Sequence, residues 1–280
     1  TLKTAVDNFL NSYKESAKTI DGKTDKRLVS LVTFASNATL VKVKGNRWTD
    51  VSMATADVVE EVNKIVADGG TNIDGGLRIA YNLIADEVAK GENGALAGIN
   101  DIHVILLTDG KPTYYATGYK ETTSPATIVE NGLSGDGDEG DEANFDDYNK
   151  AETVASDLRN YTDKAVSLYT IAFATKKSNG KDIGFDREAT AYGEETFISV
   201  KDWLANHIAT RGLAYASSDD FSLGDIFDVI DKIITAGPQA WKVIDPMGKN
   251  IIYDGKSKDE TGDTNAFEIA ATGEIGRAHV

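Results

Sequence analysis

Apolar positions along this chain follow two alternating rhythms. Residues 27–35 and 39–44 are β-branched runs separated by Ser36, Asn37 and Ala38, which predicts two strands joined by a tight turn. After residue 50 the period becomes helical: Val58, Val59, Val62, Ile65 and Val66 share one stripe, Ser52 stands ahead of it as an N-cap, and Asp68-Gly69-Gly70 stops it. A second stripe runs from Leu77 to Val88. The nearly unbroken apolar run Ile102 to Leu107 then ends abruptly at Thr108-Asp109-Gly110, as a strand buried on both faces does where it reaches the rim of a parallel sheet. Helical period returns over 150–164, strand character over 166–174 and 213–216, and a last helix follows Ser222, an N-cap with Asp225 three residues on. Residues 1–10 also read as a helix.

Strands alternating with helices of this length predict an α/β fold, a doubly wound, mostly parallel sheet flanked by helices, with the 27–44 pair as an antiparallel edge. Past Gly237-Pro238 the helical period disappears, and residues 240–253 read as two short strands around Pro246-Met247-Gly248, the start of a C-terminal β-sandwich module. The expected organisation is an α/β domain over 1–236 and the beginning of an immunoglobulin-like β domain over 237–273. The segment 274–280 back-translates onto a common short-read sequencing adapter and is expected to be an artefact.

Composition narrows the functions open to the chain. Its 280 residues, 41% hydrophobic, suffice for one or two domains with a proper core. With 45 acidic against 29 basic residues and a net charge of −16, nucleic acid and anionic membrane are both disfavoured as partners. No apolar run is long enough for membrane insertion in this segment. Cys is absent, and His103, His207 and His279 are too scattered for a zinc site. No G-x-S-x-G elbow, Walker A loop or H-E-x-x-H appears. Gly69 to Gly76 follows a helix and lacks dinucleotide spacing, and Asp109 has no second aspartate two residues away. The chain is therefore expected not to be an enzyme.

What remains is a candidate cation site. Thr71 sits in the glycine-flanked turn Gly69-Gly70-Thr71-Asn72 ahead of a helix, and Asp109 ends a central strand, so both are expected at one rim. A hydroxyl and a carboxylate are hard oxygen ligands suited to Mg²⁺ or Mn²⁺. Taken separately, Asp109 reads equally as a turn residue and Thr71 as a helix cap.

These two turns resemble the von Willebrand factor type A (vWA) domain, whose metal-ion-dependent adhesion site combines D-x-S-x-S, a threonine in G-G-T-N and an aspartate in T-D-G. The resemblance implies that Thr71 and Asp109 are metal ligands. It also implies that D-x-S-x-S, which the chain lacks, lies just upstream of residue 1 at the end of a first strand. Loss of that strand would leave a gap lined by Leu31, Val104 and Ile105. Further implications are an extracellular location, as in Gram-positive pilus-tip and surface adhesins, and a host or matrix protein partner whose acidic side chain completes the metal shell. With two ligands remaining, Mg²⁺ is expected to bind this segment weakly. The alternative is a vWA scaffold module of an intracellular or secreted assembly, metal-independent in this form.

Other residues receive plainer expectations. Asp74 is expected to cap the following helix. Residues 111–149 form a long excursion placed to frame the ligand face, and its acid run 136–147 is expected to be solvated rather than a calcium loop. Trp48, Trp203 and Trp241 are expected in the core or at sheet edges. Lys242 and Asn250 are candidates for an isopeptide bond in the β module.

Overall fold

In the computed structural model, residues 2–17, 19–20, 23–24, 26–66, 69–116, 119–120, 129–130, 133–135, 145–173, 184–185, 198–218, 222–235, 244–246 and 266–268 are described. The chain divides into two units, Thr1–Lys232 and Ile233–Val280.

In the first unit, helix α1 (Leu2–Glu15) leads to short strands β1 (Leu28–Val29), β2 (Leu31–Phe34), β3 (Ala38–Val41) and β4 (Thr49–Asp50). The single strand expected over 27–35 is divided: β1 pairs antiparallel with β4, and β2 with β3. Helices α2 (Val51–Lys64) and α3 (Ile73–Ala89) follow, then the central strand β5 (Asp101–Thr108). Asp50 rather than Ser52 caps α2, its Oδ1 accepting from the Ser52 amide at 3.1 Å and the Ser52 hydroxyl at 2.6 Å. The long excursion contains β6 (Tyr115–Ala116), β7 (Tyr119–Lys120), β8 (Val129–Glu130) and β9 (Leu133–Ser134), followed by α4 (Phe145–Arg159). Strand β10 (Ala165–Ala172), a short helix α5 (Val200–Trp203) continuing into a π turn (Leu204–Ile208), β11 (Ala214–Ala216) and α6 (Leu223–Thr235) complete the order.

Strand β10 lies between β5 and β11 and is parallel to both, pairing Leu168 with Val104 and Ile171 with Tyr215. Alternation along the strands sends Ile102 and Leu106 of β5 and Leu168 and Ala172 of β10 into one core with Ile73, Leu77 and Ile84 of α3 and Val154, Ala155 and Leu158 of α4. Strand β2 shows that helices cover both faces: Val32 and Phe34 pack with Ile79 and Leu83 of α3, while Leu31 packs with Leu10, Val58 and Val62 of α1 and α2. Leu31, Val104 and Ile105 are each partly buried. Among the described residues, β5 has a ladder partner only in β10, and β2 only in β3.

In the second unit, Ile244–Pro246 pairs antiparallel with Ala266–Glu268, and the second strand expected after the Pro-Met-Gly turn lies outside the described residues. Trp241, Lys242, Asn250 and residues 274–280 lie outside the described residues.

Candidate metal rim

The loop carrying Thr71 is shaped by glycine at two positions. Gly69 has φ +86°, in the left-handed region, and a Cβ on Gly70 would stand 2.5 Å from the Tyr114 ring. The Gly70 amide donates to Ser36 Oγ at 3.0 Å, the Asn72 amide to the Ala35 carbonyl at 2.8 Å, and Asn72 Nδ2 to the Ser36 carbonyl at 3.1 Å. Asn72 Oδ1 accepts from the Gly75 amide at 2.7 Å, so Asn72 is the N-cap of α3, the role expected for Asp74 and alternatively for Thr71.

Thr71 is buried against the segment that follows Asp109. Its amide donates to Thr113 Oγ1 at 2.8 Å, and its carbonyl accepts from the amides of Thr113 at 2.9 Å and Tyr114 at 3.3 Å. At the end of β5, the Thr108 hydroxyl donates to the Gly110 carbonyl at 2.9 Å and accepts from the Gly110 amide at 3.3 Å, fixing the turn on which Asp109 stands exposed. Both candidate turns are thus tied to one rim through residues 113–114. The backbone of Thr71 is fully engaged, but its hydroxyl, like the Asp109 carboxylate, makes no hydrogen bond among the described residues. Two hard oxygen groups left available at a sheet rim fit a small divalent cation. Among the described residues no group of three or more His, Asp or Glu side chains converges, so these ligands would fill only part of a shell.

Asp74 lies beneath the rim and is fully buried, with Oδ1 accepting from Arg78 Nη2 at 3.2 Å and Oδ2 from the Ala116 amide at 3.1 Å. Ser36 and Thr113, which hold the rim together with Asn72 of the G-G-T-N turn, carry no sequence signal of that role. Their partners lie 34 to 42 residues away for the bonds to Gly70, Asn72 and Thr71.

Residues 1–210 match the von Willebrand factor type A domain model. The chain belongs to this family. Two solved structures share the vWA fold with it. One is the pilus adhesin SpaC of Lactobacillus rhamnosus GG in an open conformation, at TM-score 0.53 and 13% identity over 83% of this chain and 27% of that one. The other is the vWF domain of the type V pili tip protein Mfa5 of Porphyromonas gingivalis, at TM-score 0.51 and 14% identity over 86% and 89%. This chain therefore spans about a quarter of SpaC and most of the Mfa5 domain. No curated protein sequence matches it. Among the described residues of this vWA domain, no helix is long and apolar enough to cross a membrane.

Proposed function

We propose that the chain is the partner-binding module of an extracellular adhesin of the pilus-tip or cell-surface kind, which grips a protein through Mg²⁺ or Mn²⁺ held at Thr71 and Asp109. The observation that carries this reading is the pair of side-chain oxygens without hydrogen bonds among the described residues, on turns tied together at 113–114. The cation would supply an electrostatic bridge to an acidic side chain of the partner, a binding role in which no bond is broken and no enzyme activity is required. Thr71 and Asp109 would fill part of the shell, and water and the partner's acidic side chain the rest. The vWA fold shared with SpaC and Mfa5 supports the surface location.

The test is retention of beads displaying the protein on immobilised matrix proteins. Retention should require Mg²⁺ or Mn²⁺, disappear with a chelator, and be lost in Asp109→Ala and Thr71→Ala. Retention indifferent to chelator and to both substitutions would overturn the metal-bridge reading in favour of a metal-independent scaffold.

A further inference from the structure

Asp74 is an anomaly in its own helix. An aspartate in the first turn ordinarily faces water, where it complements the helix dipole at little cost. Here Asn72 performs the capping, while Asp74 is 0% exposed and directed at Arg78 and at the backbone amide of Ala116. A carboxylate withdrawn from water in this way is tolerated only when its oxygens are met by donors, and one donor belongs to a segment 42 residues away.

That segment is the root of an arm of two short antiparallel ladders. Strands β6 and β9 pair Tyr115 with Ser134 and Ala116 with Leu133, and β7 and β8 pair Tyr119 with Glu130 and Lys120 with Val129. Tyr119 lies three residues beyond Ala116 and Glu130 three before Leu133, so the arm's two ladders share one register. Its root is clasped at other points as well. The Tyr115 hydroxyl donates to Asp146 Oδ2 on α4 at 3.2 Å, Gly135 has φ +118° with no room for a Cβ against the Thr113 carbonyl, and the Tyr114 amide donates to the Thr71 carbonyl.

We propose that Asp74 is a positioning residue: it locks the Tyr115–Ala116 strand, and with it the Leu133–Ser134 strand paired to it, to α3, so that this ladder keeps a fixed place next to the 113–114 segment that holds Thr71. The bearing of this ladder on partner binding rests on the reading of the rim given above; the lock itself does not. Arg78 stabilises the ionised acceptor, and the Ala116 amide fixes where the arm begins.

Amide hydrogen exchange on the whole chain, without ligand, tests the lock separately from the function of the rim. In Asp74→Ala the amides of Ala116, Tyr119 and Leu133 should exchange about 10- to 100-fold faster, the range expected for loss of a charge-assisted hydrogen bond. Those of β10 should be unchanged, and Asp74→Asn, which keeps an acceptor, should recover most of the protection. If Asp74→Ala does not fold, Ala116→Pro decides, because it deletes the donor and leaves the carboxylate and Arg78 in place; it should release the amides of Tyr119 and Leu133. Unchanged protection of the arm in the folded variant, or equal loosening of the arm and β10 in either substitution, would overturn the proposal. If the lock holds while binding is indifferent to Asp109→Ala, the reading of the rim fails and the positioning role stands.

Discussion

His103, on β5, lies with its Nδ1 3.2 Å from the Tyr169 hydroxyl, and burial lowers its pKa from the ordinary 6.5 despite the opposing pull of Asp101. Burial also pushes the Tyr169 hydroxyl up to about 12, so that partner stays neutral across the working range. The folded state then binds fewer protons than the unfolded state as pH falls below 6.5, and stability present above that value is lost on acidification through the folded-state pKa. In His103→Gln the fall in stability between pH 8 and pH 5, read by urea denaturation, should be smaller than in the parent; an identical fall would contradict the burial argument. At the rim, Gly70→Ala would drive a Cβ to 2.5 Å from the Tyr114 ring and 2.7 Å from Thr113 Oγ1. It should cost about 1–3 kcal/mol in the same measurement, the range for overpacking a tight site. A neutral result would mean that the 69–72 loop is not held against 113–114.

Among elements, those with a strong period were legible in the sequence and their ends were not. The strand read at 102–107 spans Asp101–Thr108, and the helix read at 77–88 begins four residues earlier, at Ile73, because Asn72 caps it. The helix read at 150–164 spans Phe145–Arg159. Its first turn contains Asp146 and Asp147, the end of the acid run expected to be solvated, and Asp147 is 1% exposed. Acids at a helix N-terminus look like a charge run when only composition is read. The helix from Val200 into the π turn was missed, since its few residues carry no extended period. Trp203 within it is core, as expected, its ring edge-on to Tyr148 at 4.9 Å and its Nε1 donating to Glu152 at 2.8 Å. The π turn ends where Arg159 Nη1 donates to the carbonyls of His207, at 2.8 Å, and Ile208. Arg159→Met should cost about 1.5–3 kcal/mol by chemical denaturation, the scale of a hydrogen bond from a charged donor; no change would show that water satisfies those carbonyls equally well.

For the whole molecule, Thr71 and Asp109 could be nominated from short turns, whereas the lock at Asp74 depends on a contact 42 residues away that no local pattern carries. The sheet has the same long-range character: β5 and β2 each have one described ladder partner, and exposed strand edges invite association. The central claim is divalent-cation binding at the rim, and calorimetric titration of Mn²⁺ into the protein tests it most directly. Saturable binding that is lost in Asp109→Ala and Thr71→Ala, with thermal stability retained, is the predicted result. No binding, or binding of equal affinity in both variants, would contradict it.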